Sequence, residues 1–156
     1  MAEAPVIRAA RPEEAADLTE LCMRSKALWG YDAAFMEVVR QQLTLTADYI
    51  RRHPVFVADR DGTPVGVYAL TDEGDFVDLD FMFVDPPHVR TGVGQALWPH
   101  VLEEARRLGP SRLKIIADPS AVPFYERMGA VRCGEEPNVL IRGRVLPVLE
   151  VRLKPH

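Results

Sequence analysis

One stretch constrains this chain more than any other: Val84-Asp85-Pro86-Pro87-His88-Val89-Arg90-Thr91-Gly92-Val93-Gly94-Gln95-Ala96-Leu97 carries an apolar strand through a short loop into an amphipathic helix. A fold that contains it mixes strands with helices. Gly92 and Gly94 let the backbone approach a ligand closely and adopt dihedrals closed to other residues. The first turn of the following helix leaves N–H groups unpaired at the positive end of the dipole. Together these features make an anion site, with a phosphate-bearing cofactor as the expected guest.

The 156 residues, 47% of them hydrophobic and 27% charged, suit one compact domain over 1–156 with a full-sized core. A formal net charge of -4 argues against a nucleic-acid partner, which needs clustered Lys and Arg on one face. No apolar run is long enough for a membrane span, and Met1-Ala2-Glu3-Ala4-Pro5 lacks the basic start and apolar core of a signal peptide, so a cytoplasmic location is expected. Cys22 and Cys133 fit no disulfide or zinc spacing and are expected to be buried free thiols. His53, His88, His100 and His156 place no two ligands on one helix face, so no metal is predicted.

Periodicity organises the chain as follows. A short strand at Val6-Ile7-Arg8 precedes a helix that starts near Pro12, with Ala15, Leu18, Cys22 and Ser25 along one side. After Trp29-Gly30 a second helix runs from about Asp32, and a short turn lies near Ala47 to Arg52. Two strands, Val55 to Ala58 and Pro64 to Leu70, are joined through Asp59-Arg60-Asp61-Gly62 as an antiparallel hairpin. A strand from Phe76 to Val84 puts Val77, Leu79, Phe81 and Phe83 on one face and Asp78, Asp80, Met82 and Val84 on the other. The glycine loop then opens a helix that ends at Gly109-Pro110 and is kinked by Pro99. A strand at Arg112 to Ala117, a helix from about Ser120 to Met128, a strand from Ala130 and a last strand near Val145 to Leu153 complete the pattern. The expected architecture is an α/β (α+β) fold: a mixed, mostly antiparallel sheet of six to seven strands flanked by about four helices.

A Gly-x-Gly pair alone also serves as a plain turn that packs a helix on a strand. No Gly-Lys-Ser/Thr follows, which removes the Walker-type loop. A dinucleotide or adenosyl-methionine reading draws on Asp118 as a ribose-binding acid. Against it, Leu97 holds the third glycine position, and the loop comes too late in the chain to leave room for further βα units.

Three segments resemble the Gcn5-related N-acetyltransferases in order and spacing: Phe81-Met82-Phe83-Val84-Asp85-Pro86, Val89 to Leu97, and Pro123-Phe124-Tyr125-Glu126-Arg127-Met128-Gly129-Ala130. Ser25 to Tyr31 and Ile141 to Pro147 are further similar to one bacterial subgroup of these enzymes. The resemblance implies acetyl-CoA as cosubstrate. Backbone groups of Met82, Phe83 and Val84 would meet the thioester and pantetheine, and Val89, Arg90, Thr91, Gly92, Val93, Gly94 and Gln95 would hold the pyrophosphate. The family begins this loop with Gln or Arg. Val89 departs from that pattern, which shifts the expected binding onto backbone N–H groups. Asp118 stands where the family has asparagine and reads first as a helix cap, and Phe124 flanks the cofactor.

Tyr125 matches the family tyrosine that serves as general acid near the sulfur. A phenol of ordinary pKa about 10 is protonated at neutral pH and can donate to a thiolate of about 8.5. Phe124 and Tyr125 also read as a core aromatic pair on a short helix; beside the glycine loop, the acid role is favoured. Asp78 and Asp80 could help to neutralise an arriving amine, or could form a solvated strand face. Trp29, Tyr31 and Phe35, with Arg142 and Arg144, are candidates for acceptor selection; the same aromatics could simply pack and the arginines face solvent or a second copy. The expected activity is acetyl transfer to a primary amine of a small molecule or peptide by direct attack, since neither cysteine lies in a motif. A Rossmann-like nucleotide or adenosyl-methionine enzyme and a catalytically silent acyl-CoA-binding protein stand as alternatives. A homodimer is compatible with the family.

Overall fold

The computed structural model describes residues 3–154, so Met1, Ala2, Pro155 and His156, with the readings placed on them, lie outside the described residues. Among those residues the elements follow as β1 (Val6–Ala9), α1 (Ala15–Ala27), α2 (Ala33–Leu43), α3 (Ala47–Arg52), β2 (Val55–Arg60), β3 (Thr63–Asp72), β4 (Val77–Val84), α4 (Val93–Leu108), β5 (Arg112–Ile116), α5 (Val122–Arg127), β6 (Val131–Pro137) and β7 (Val145–Arg152). The strands form one sheet of seven, in the order β1-β2-β3-β4-β5-β7-β6. Its antiparallel ladders and the parallel pair β4–β5 make a mixed sheet, which a doubly wound parallel fold does not have.

The chain divides into two compact units, one up to Ala69 with Phe81–Val101, the other Leu70–Asp80 with the chain from Leu102 on. In the first unit, β2 and β3 meet at Asp61 and Gly62, whose φ values of 56° and 86° are the left-handed pair that a two-residue hairpin turn requires. The strands therefore run on through Asp59 and Arg60, which local turn signals assigned to the loop. Asp32 and Thr46 cap α2 and α3 by accepting from the N–H groups of Phe35 and Tyr49. The expected turn near Ala47 is thus a helix, which brings the helix count to five among the described residues. Leu18, Leu21 and Cys22 of α1 and Val57, Val65 and Val67 of the hairpin are buried with Val93 and Leu97 of α4. Gly66 sits where β3 meets α4: a Cβ added there would lie 2.8 Å from Val93 Cγ1. Arg8 of β1 ties this unit's edge together, bonding Glu14 through both terminal nitrogens and Asp59 through Nε, each at 2.9 Å. The Arg8 hydrogen bond holds the Glu14 carboxyl below its usual range.

In the second unit, β4 pairs with β5 only at Val77 with Leu113 and Asp78 with Lys114. β5 then runs antiparallel to β7 along its whole length, and β7 pairs with β6 at the sheet edge. Leu113, Ile115, Val148 and Leu149 are buried here. Cys133 is exposed, contrary to expectation, because both faces of the edge strand β6 are open to solvent; Cys22 is buried as expected.

Candidate active site

In the first unit β4 ends in Met82, Phe83 and Val84, all half-buried. Asp85 then fixes the start of the loop: its N–H donates to the Val65 carbonyl at 2.9 Å, and its carboxylate accepts from Arg24 Nε at 3.0 Å and Nη2 at 3.1 Å. Pro86–His88 form one 3-10 turn. Val89 and Arg90 are exposed, and Arg90 is left-handed at φ 67°. A long side chain in that region stores strain, which the surroundings must hold in place. Gly92, at φ 89°, is left-handed as well, the conformation for which its lack of a side chain suits it.

Helical bonding begins with the Ala96 N–H donating to the Gly92 carbonyl at 3.0 Å. The N–H groups of Val93, Gly94 and Gln95 therefore precede the helical ladder and have no acceptor within α4. Unpaired donors, the positive end of a 16-residue helix and a glycine at its entrance are the chemistry of an anion cradle. α4 continues through Pro99 to Leu108.

Thr91 turns inward to the protein instead. Its hydroxyl donates to the His88 carbonyl at 2.6 Å and accepts from Arg60 Nη1, also at 2.6 Å. Arg60 Nη2 donates to the Thr91 carbonyl at 2.8 Å. No sequence reading pointed to Arg60, because it stands 31 positions before Thr91 at the end of β2. Elsewhere in this unit, Tyr31 stacks on Phe35 with centroids 4.1 Å apart, and Lys26 Nζ lies 5.3 Å from the Tyr31 ring centre. Trp29 is half exposed after the end of α1.

In the second unit Asp78 and Asp80 share one face of β4, Asp78 half-buried and Asp80 exposed. Burial, then the hydrogen bond with Asp80 and the repulsion between the two carboxylates, push Asp78 up to about 8, with Lys114 opposing the rise. Such a group is protonated at neutral pH and ionises just above it. The Thr71 hydroxyl donates to Asp80, and Lys114 donates to Glu136 while lying 5.0 Å from the Phe76 ring centre.

Tyr125 lies on α5, 6% exposed, with Phe124 edge-on at 5.4 Å between centroids. Its carbonyl accepts from Met128 and Ala130 as the helix ends. Burial raises the phenol, which keeps it protonated across the working range and makes it a weaker acid than a free phenol. Asp118 caps the 3-10 turn at Pro119–Ala121, accepting from the Ser120 N–H at 2.8 Å, and its second oxygen lies 3.5 Å from Arg144 Nη2. Arg144 is therefore turned onto Asp118, while Arg142 is exposed.

Burial raises the Cys22 thiol, which makes it a poor nucleophile. Among the described residues no three His, Cys, Asp or Glu side chains gather as a metal ion would need, and no helix is long and apolar enough to cross a membrane.

Comparison with the sequences of curated proteins gives no match. Among solved structures, a Gcn5-related N-acetyltransferase of Rhodopseudomonas palustris superposes with a TM-score of 0.80 at 22% identity, covering 98% of both chains. The PaiA N-acetyltransferase of Thermoplasma acidophilum, in complex with coenzyme A, gives 0.78 at 16% identity over 96% of this chain and 99% of its own. YncA of Salmonella typhimurium with acetyl-CoA gives 0.68 at 21% identity over 99% and 96%. At these identities the likeness speaks for the fold. The family itself comes from sequence: the model of the acetyltransferase (GNAT) domain matches residues 13–139, and the chain therefore belongs to the Gcn5-related acetyltransferases.

Proposed function

We propose that the chain, acting as one domain over 1–156, moves an acetyl group from acetyl-CoA to a primary amine of a small molecule or peptide, with Tyr125 as general acid. The observation that carries this reading is the backbone from Arg90 to Gln95, where two left-handed residues lead into a helix start with unpaired N–H groups. Those donors suit a pyrophosphate, and the Thermoplasma and Salmonella proteins are complexes with coenzyme A and acetyl-CoA. Met82, Phe83 and Val84 offer main-chain groups to the pantetheine arm and thioester, Phe124 and Asp118 flank the cofactor, and Trp29, Tyr31, Phe35 and Arg144 shape the acceptor side.

Acetyl transfer needs an uncharged amine, support for the oxyanion and a proton for the departing sulfur. The Asp78–Asp80 pair takes the proton from the incoming ammonium, directly or through water. The neutral nitrogen attacks the carbonyl carbon, the carbon–sulfur bond breaks, and the Tyr125 hydroxyl gives its proton to the sulfur. The proton released from the new amide nitrogen restores the phenol.

Tyr125→Phe keeps the ring and removes the acid. It is expected to lower kcat about a hundredfold, with the KM for acetyl-CoA unchanged. The measurement is thiol release over an amine panel, from pH 6 to 9. Full transfer by the variant throughout would remove Tyr125 from the chemistry, whereas tight acetyl-CoA binding by the wild type without transfer to any amine would leave a binding protein.

A further inference from the structure

We propose that Arg60 is a positioning residue for the cofactor: it holds the Arg90–Gly92 backbone in its binding conformation by clamping Thr91 from behind, and touches no part of the ligand. The inference rests on the reading of this loop as the pyrophosphate site. Arg60 spends its donors on the protein. Nε donates to the Glu3 carbonyl at 2.8 Å, Nη1 to Thr91 Oγ1 at 2.6 Å, and Nη2 to the Thr91 carbonyl at 2.8 Å. Nη1 also meets His88 Nδ1 at 3.3 Å, which accepts when that nitrogen carries no proton.

The clamp falls where the backbone needs it. Thr91 lies between the two left-handed residues, Arg90 at φ 67° and Gly92 at φ 89°. The first of these is unfavourable for any residue with a side chain and relaxes unless something holds it. A planar guanidinium can grip a hydroxyl and a carbonyl of one residue at once, and being always charged it makes strong bonds to both. The Thr91 hydroxyl, occupied on one side by Arg60 and on the other by the His88 carbonyl, serves the loop's shape and leaves ligand binding to main-chain donors. Arg60 borders a polar recess of about 410 Å³ shared with Glu3, Asp59 and His88, so its truncation removes no part of the apolar core.

The test compares wild type, Arg60→Ala, Thr91→Val and the double variant for coenzyme A affinity by calorimetry, and for transfer from acetyl-CoA and from S-acetylpantetheine, which has no pyrophosphate. Arg60→Ala is expected to weaken coenzyme A binding about tenfold, Thr91→Val less, and the double variant no more than Arg60→Ala alone, because the two act through one contact. Transfer from S-acetylpantetheine should stay at the wild-type level. Additive losses in the double variant, wild-type affinity in Arg60→Ala, or equal loss with both donors would each overturn the proposal. Arg60→Lys keeps the charge but reaches one Thr91 oxygen; it serves if the alanine variant does not fold, is expected to lose affinity in the same sense, and at wild-type affinity also overturns the clamp. A wild-type chain that binds no coenzyme A overturns the functional reading and this inference with it.

Discussion

At the scale of single residues, the base proposed above, the Asp78–Asp80 pair, would tie activity and stability to pH in opposite senses. Asp78 is held up at about 8 by burial first and by Asp80 second. A carboxyl raised above its unfolded value binds its proton more tightly in the folded chain, so its contribution to stability is full below about pH 4 and is lost as pH rises through 8. The base proposed for the amine would appear over the same rise. Asp78→Asn keeps the size and a hydrogen bond to Asp80 while removing the titration. Its urea midpoint is expected to stay flatter than that of the wild type between pH 4 and 8, and its kcat/KM to lack the increase through pH 8; parallel midpoints for the two proteins would show that Asp78 titrates normally. Residue identity alone gave the two aspartates as a pair on one face. It did not give their environment, because Thr71 meets Asp80 from the neighbouring strand β3 and Lys114 is brought beside Asp78 by the pairing of β4 with β5.

At the scale of elements, the glycine loop depends on the elements that meet it. Gly66 brings β3 so close to the start of α4 that a methyl group would press on the buried Val93 at 2.8 Å. Gly66→Ala is expected to cost about 1–3 kcal/mol, as overpacking does, read as a lower urea midpoint, and to weaken coenzyme A binding by moving the helix start. The loop itself was legible because its signals are local: two glycines, a strand before and a helix after. The hairpin at Asp61-Gly62 and the Asp118 cap were legible for the same reason. α3 was not, since six residues are too few to display a helical period. Arg24 and Arg60 escaped detection because each grips the loop from a distant element, and no spacing announces such a contact. Arg144 was visible as a charge near the last strand, while its pairing with Asp118 follows from tertiary placement.

At the scale of the whole molecule, a chain of net charge -4 that receives an anionic cofactor has to do so through local dipoles, since its overall field repels the ligand. Binding restricted to the folded state then shows as stability. At a hundred times its dissociation constant, acetyl-CoA should stabilise the fold by about 2.7 kcal/mol and raise Tm by about 5–10 °C. Adenosyl-methionine and NAD should produce no shift. A rise with either of these and none with acetyl-CoA would favour a different cofactor class.

The sheet's β6 edge has a consequence of another kind. An open strand invites a neighbour's strand to extend the ladder, and a long flat apolar edge is a route to aggregates. Here the edge strand β6 carries a register break between Arg132 and Gly134, ends in Pro137, and displays Arg132, Glu135 and Glu136, the last engaged with Lys114. Bulge, proline and charge each penalise an incoming backbone. They make β6 a poor template for strand addition, so this side of the sheet can stay bare without recruiting a neighbouring strand.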